Sequence, residues 1–306
     1  LSLPSAPASP AARAHLGLGL WAALVGLSFP AVGLIGETLP PLLLTSIRFL
    51  IASLALWGLA RHTQGWRPSI HALGLYALMG LCLAGFFGAM FWSAHRTTAV
   101  SMSTLFVSVP LLAFMLGWAV GVERPAWRLI AALGLGATGA LALAWAEARG
   151  QQGQWRFGIG EAVFFLGCIS AALYPVLTKW GLNRQWLSAS AAVRTFWSLG
   201  CGAVLIGLAG VLLEPWQRLA EMTFSDAVLL LYLGLCSSAL TFWLQQRATA
   251  VLTPGTVTAY NYLVPFVSML LLFVGAPERI GWAWLPGSLL VMVAIGVLLR
   301  NERVAA

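Results

Sequence analysis

The sequence predicts an all-α polytopic membrane protein, with ten transmembrane helices arranged as two inverted five-helix repeats around a central cavity. Three observations predict it. Of the 306 residues, 60% are hydrophobic and only 8% are charged, too few charges to clothe a soluble surface of that size. Apolar runs of about twenty residues recur from end to end, the length that crosses the hydrocarbon of a bilayer. One block also occurs twice: Phe91-Trp92-Ser93-Ala94-His95-Arg96-Thr97-Thr98-Ala99-Val100 returns as Phe242-Trp243-Leu244-Gln245-Gln246-Arg247-Ala248-Thr249-Ala250-Val251. The short alternating segments of a membrane β-barrel are absent from the sequence.

Residues 1–15, rich in Pro, Ala and Ser, read as a disordered tail. The first repeat, 16–146, holds spans at 16–36, 40–60, 70–94, 97–121 and 126–146. The second, 157–300, holds spans at 157–180, 187–213, 225–246, 251–275 and 281–300. The connections are too short to be domains. The first run is too long for a signal-peptide core and is read as a mature helix. The cysteines Cys82, Cys168, Cys201 and Cys236 fall inside apolar runs without metal-ligand spacing, and read as small buried hydrophobes.

Charge sets the orientation. With a cytoplasmic N-terminus, ten basic residues lie inside (Arg13, Arg61, Arg67, Arg124, Arg128, Lys179, Arg184, Arg247, Arg300 and Arg303) against five outside (Arg96, Arg149, Arg156, Arg218 and Arg279). The net charge of +8 is therefore a membrane-topology signal and does not point to nucleic acid. Both termini come out cytoplasmic. Five spans per half is an odd number, so the second half is expected upside down relative to the first. Inverted repeats permit two mirror-related conformations with a substrate site near the midplane. An ancient duplication with no role in transport is the bland alternative.

Other paired residues follow the block. Each copy runs into an apolar helix with an internal proline, Pro110 or Pro265, and then into Glu-Arg and a tryptophan: Glu123, Arg124 and Trp127, or Glu278, Arg279 and Trp282. Phe29-Pro30 and Tyr174-Pro175 occupy matching places in the first helix of each half. With these motifs the chain resembles the drug/metabolite transporter superfamily in its ten-helix, EamA-type form, over residues 16–300. The tryptophan-rich composition is similar to that of bacterial aromatic amino acid exporters of the inner membrane. The resemblance implies a multi-pass protein of the bacterial inner membrane that exports amino acids, aromatic and other apolar ones favoured. It also admits related metabolites, drugs or organic cations as cargo. The second copy departs from the pattern by carrying Ala276-Pro277 before Glu-Arg.

Arg48 in the second span and Arg194 in the seventh are repeat equivalents. An intramembrane arginine costs about 2.5–3.5 kcal/mol on insertion scales and is expected to face protein or a wet cavity. Two roles fit: a gate or substrate contact, and a structural one, snorkelling or capping carbonyls. Candidate cavity residues are the aromatics Tyr76, Phe86, Trp92, Tyr174 and Trp243, the hydroxyls Ser101 and Thr104, and Tyr260, Asn261 and Tyr262. For each hydroxyl, close helix packing is the competing role, and for each aromatic, core or lipid packing is. Asn261 carries several hydrogen-bonding groups, which argues against lipid exposure. Pro30, Pro110, Pro175 and Pro265 each remove a helical hydrogen bond, and a fixed kink and a moving hinge fit this equally well.

No carboxylate is expected deep in a span. A facilitator fits that pattern, and proton coupling through Glu161 or His95 is the alternative. No His-Glu-x-x-His, Gly-x-Ser-x-Gly or paired-carboxylate motif supports an enzyme, and no cofactor is called for. A receptor or scaffold would add soluble domains or long loops. A channel is separated from a carrier by counterflow. The expected partners are a small-molecule substrate and the lipid bilayer.

Overall fold

The computed structural model describes residues 9–94, 96–97, 99–148, 158–267, 270 and 282–303. The described residues form α1 (Pro10–Gly33), α2 (Pro41–Arg61), α3 (Ile70–Ala94), α4 (Ala99–Phe106), α5 (Val109–Ala119), α6 (Trp127–Ala148), α7 (Ile159–Asn183), α8 (Ala191–Leu213), α9 (Phe224–Gly234), α10 (Thr241–Val251), α11 (Pro254–Ala259) and α12 (Leu285–Arg303). A π-helical stretch, Leu235–Leu240, joins α9 to α10 into one long helix. Eight of the helical stretches are long and apolar enough to cross a membrane, and Leu285–Arg300 is a shorter apolar helix. Large apolar side chains crowd the outward faces, among them Leu54, Leu212 and Leu231, as lipid contact requires.

The helix ends follow from local chemistry. The Ser9 hydroxyl accepts from the Ala12 amide at 3.1 Å and Pro10 opens the helix, so α1 begins inside the stretch read as a disordered tail. Residues 1–8 lie outside the described set. The Glu214 carboxylate at the end of α8 accepts from the Leu42 and Leu43 amides at 2.8 and 3.0 Å, neutralising the start of α2. Asp226 closes the start of α9 on the Thr223 amide, at 2.9 Å, and reaches the Gly36 amide at 3.0 Å.

The halves interlock through close antiparallel crossings. Along α2 and α8, Leu43 meets Gly210, Ser46 meets Gly207 and Phe49 meets Gly202; Ser53 donates to the Phe196 carbonyl at 3.0 Å. Along α3 and α7, Leu75 meets Gly181, Gly85 meets Ser170, and Ser93 donates to the Gly160 carbonyl at 2.9 Å. Contacts come in exchanged pairs: α3 packs on α7 as α10 packs on α1, and α3 on α8 as α2 packs on the π stretch and α9. Between α3 and α8 the backbones nearly touch, since a methyl on Gly80 would lie 2.6 Å from the Gly202 nitrogen.

Ser9, which caps α1, and His15 of α1 line one cavity with Ile295 and Leu299 of α12. The start of α1 and the last turns of α12 therefore lie at one end of the bundle, here termed the terminal end; Arg96, Glu161 and Glu214 mark the far end.

Candidate functional site

Arg194 is fully buried at the start of α8 and makes four hydrogen bonds. Its Nε donates to Gln246 Oε1 at 2.8 Å and one terminal nitrogen to the Gln246 carbonyl at 2.6 Å. The other terminal nitrogen donates to the carbonyls of Ser188, at 2.6 Å, and Ala189, at 2.9 Å. The Gln246 amide donates on to Thr178 of α7 at 3.0 Å. Tyr76 accepts from the Ser188 amide at 3.2 Å, and the Tyr174 and Ser198 hydroxyls pair at 3.0 Å. Four elements thus share one polar core near the terminal end. Satisfying the guanidinium within the protein meets the cost of burying it.

Arg48, half-buried in α2, reaches the same long helix from the other half. Its Nε donates to Ser238 Oγ at 2.6 Å, and a terminal nitrogen donates to Ser237 Oγ at 2.9 Å and to the Ser237 carbonyl at 3.1 Å. The ligated residues lie within the π stretch, where the widened turn releases backbone acceptors. Phe87 lies under the guanidinium, 5.6 Å from ring centroid to carbon. Both intramembrane arginines therefore hold Phe224–Val251.

The duplicated block builds a matching pair of cavities. At the far end, an open groove of about 810 Å³ lies between the start of α2 (Pro41), the end of α8 (Leu213), α3 and α7, with Trp92 in the wall. At the terminal end, about 480 Å³ lies between the start of α8 (Ser190), the end of α2 (Leu59) and α10, with Trp243 in the wall. Arg96 stacks over Trp92 at 4.0 Å and Arg247 over Trp243 at 4.8 Å. Arg194 borders the second cavity, its hydrogen bonds already directed into the protein.

The segments that carry Pro110 and Pro265 are both interrupted. The helix breaks at 107–108, just before Pro110, and a 3-10 turn, Tyr260–Tyr262, precedes Pro265. Without an N–H on either proline, the Phe106 and Asn261 carbonyls lose their helical donors. Pro110 therefore opens a new helical segment and does not sit inside a continuous one. Pro30 and Pro175 remain inside α1 and α7. Beside the second break, the Tyr260 hydroxyl pairs with His15 Nδ1 at 2.6 Å, within the cavity of about 810 Å³ shared with α12. Asn261 is buried; Tyr262 is buried too, and its hydroxyl has no hydrogen-bond partner among the described residues.

The remaining candidates scatter. Phe86 joins an aromatic group with Phe87, Phe106 and Phe164. Ser101 is buried on α4 and Thr104 half-buried. Glu161 accepts from the Gly158 amide at 2.9 Å and from the Thr97 hydroxyl, tying the start of α7 to the segment before α4. The ten candidate cavity residues do not line one described cavity: Trp92, Trp243 and Tyr260 fall in three. His95, Arg149, Arg156, Ala276, Pro277, Glu278 and Arg279 lie outside the described residues.

Sequence reasoning passed over Glu123. It lies in the loop after α5, is 4% exposed, and accepts from the Gly255 amide at 2.9 Å, joining the two halves at the terminal end. Burial pushes its carboxyl above the usual value of 4.5, a rise partly offset by Thr253, the Gly255 amide and Lys179. The signal was present, since Glu123 belongs to the duplicated Glu-Arg pair.

Apolar helices of spanning length, buried arginines answered within the bundle and broken helices beside cavities define a polytopic helical membrane protein. The chain belongs to the EamA-like transporter family, which matches over residues 13–145 and again over 158–300. A probable terminal-alkyne amino-acid exporter of Streptantibioticus cattleyicolor is 28% identical over 280 residues, spanning 90% of this chain and 89% of that protein. The uncharacterized transporter YcxC of Bacillus subtilis is 22% identical over 292 residues, spanning 92% and 91%. One crystal structure shares the fold with a TM-score of 0.75 at 20% identity, over 98% of this chain and 100% of the other.

Proposed function

We propose that this transporter exports amino acids, aromatic and other apolar ones favoured, across the bacterial inner membrane by alternating access. In this reading 16–146 and 157–300 are inverted repeats, both termini are cytoplasmic, and the terminal end is the cytoplasmic end. The observation that carries it is the pair of Trp-Arg stacks. Trp92, stacked under Arg96, and Trp243, stacked under Arg247, come from copies of one sequence block, yet the two tryptophans wall cavities at opposite ends. The antiparallel crossing of α2 with its repeat equivalent α8 supports the same inversion. The substrate class draws its support from the relative named as an amino-acid exporter.

Arg48 and Arg194 act in this scheme as clamps on Phe224–Val251, since their donors are directed to protein groups. The cavity residues Tyr76, Phe86, Ser101, Thr104, Tyr174, Tyr260, Asn261 and Tyr262 line the path when the bundle opens, and Pro30, Pro110, Pro175 and Pro265 let the helices bend. Counterflow in liposomes tests the proposal. Internal unlabelled phenylalanine, tryptophan or leucine should accelerate uptake of the labelled amino acid. Uptake that never saturates or responds to the internal amino acid would indicate a channel, and no flux of any amino acid would overturn the substrate class.

A further inference from the structure

We propose that the Glu123 carboxyl is a proton-binding site, a latch that joins the two halves at the terminal end while protonated and releases them when ionised. The proposal rests on the transport reading for its consequence but on local geometry for its substance. α5 ends at Ala119, and Gly121, at φ +76°, turns the chain back so that the Val122 and Glu123 amides both bond the Gly117 carbonyl, at 2.8 and 3.1 Å. That turn presses the Glu123 side chain between two glycines. A methyl on Gly117 would lie 3.1 Å from Glu123 Cβ, and one on Gly255 would lie 3.3 Å from Oε2.

The carboxylate oxygens are not treated alike. Oε2 accepts from the Gly255 amide at 2.9 Å, whereas Oε1 is buried with no hydrogen-bond partner among the described residues. The Thr253 hydroxyl, the Gly255 amide and Lys179 answer a charge so placed only in part, and Oε1 goes without a partner among the described residues; a neutral carboxyl keeps Oε2 as acceptor and sheds the cost of the buried charge. The groups around it are Thr253 ahead of α11, Lys179 of α7 and, on its own loop, the exposed Arg124. The Lys179 ammonium donates to the Ala250 carbonyl at 3.2 Å, and its attraction moderates the effect of burial without reversing it.

The sign follows from linkage. The latched carboxyl has a raised affinity for its proton, and the released one, in water, has the usual affinity. Below the usual value both states are protonated and the latch has its full strength. As pH rises from there toward the latched value, the latch weakens about tenfold per pH unit. Closing the terminal end takes up a proton and opening returns it.

Hydrogen exchange of the full chain in lipid nanodiscs tests this, with protection of the amides of residues 255–259 measured against intrinsic exchange from acidic to alkaline pH. The wild type should lose about tenfold in protection per pH unit across the window above the usual carboxyl value. Glu123→Gln, a neutral isostere, should stay protected and flat with pH, and Glu123→Ala should be unprotected and flat. A flat wild-type profile, or a Glu123→Gln profile that tracks the wild type, overturns the proposal. The readout needs no substrate, so failure of amino-acid counterflow leaves it standing, and its own failure leaves the transport reading standing.

Discussion

Arg194 holds Gln246 twice, at the side-chain oxygen and at the main-chain carbonyl, 2.8 and 2.6 Å away. One fork therefore fixes both the rotamer of Gln246 and the position of α10 relative to α8. Replacing Gln246 with Leu removes one acceptor and leaves a buried guanidinium short of a partner, which should cost about 2–3 kcal/mol. Arg194→Lys keeps the charge but loses the fork and should cost a similar amount. Thermal unfolding in a mild detergent checks both. A double variant no less stable than either single one is expected if the two form one unit.

Arg48 grips the same helix at Ser237 and Ser238, so the two arginines fix its π stretch and its terminal half separately. Arg48→Ala should let Leu235–Leu240 relax toward α-helical register. One added residue in the ladder rotates everything beyond it by about 100°, carrying Trp243, Gln246 and Arg247 off their partners. The expected result is a loss of counterflow of about tenfold or more, together with a lowered melting temperature because Gln246 leaves the buried Arg194. Full flux in a folded Arg48→Ala protein would show the clamp to be dispensable.

Gly139 and Gly287 bring α6 and α12 into backbone contact. A methyl on Gly139 would lie 2.9 Å from the Gly287 carbonyl oxygen, and one on Gly287 would lie 2.8 Å from that of Gly139. Neither obstacle is a flexible side chain, so the helices must separate. Gly139→Ala and Gly287→Ala should each destabilise by about 1–3 kcal/mol. Gly134→Ala, on the same helix with open space around it, should be neutral or slightly stabilising through helix propensity. Equal melting temperatures for Gly139→Ala and Gly134→Ala would refute the contact.

Eight of the ten spans were legible because bilayer thickness imposes length and apolarity on each, while the ninth, 251–275, lies partly outside the described residues; the duplication was legible because Phe91–Val100 and Phe242–Val251 share their order of residue types. The start of α1 was not, since composition marks 1–15 as a tail while the helix depends on one Ser9 cap. The π stretch was hidden because its register is held by Arg48, almost two hundred residues away in sequence. Glu123 was hidden because it lies in a loop outside the spans, where sequence alone shows an exposed acid. Its burial arises where a loop of one half meets a helix start of the other, a property of the packing and not of the local sequence.

Tyr76 and Tyr262 are buried to the same degree and differ in one atom's company. The Tyr76 hydroxyl accepts from the Ser188 amide at 3.2 Å, while that of Tyr262 has no partner among the described residues. Tyr76→Phe should therefore cost about 1–2 kcal/mol, since it strands a buried amide beside Arg194. Tyr262→Phe removes a hydroxyl that the closed bundle leaves unanswered and should be neutral or stabilising by about 1 kcal/mol. If the hydroxyl serves a substrate in the opened path, the same variant should lower amino-acid counterflow while its melting temperature holds or rises. Stability and flux falling together in Tyr262→Phe would show that the hydroxyl supports the fold and not the cargo.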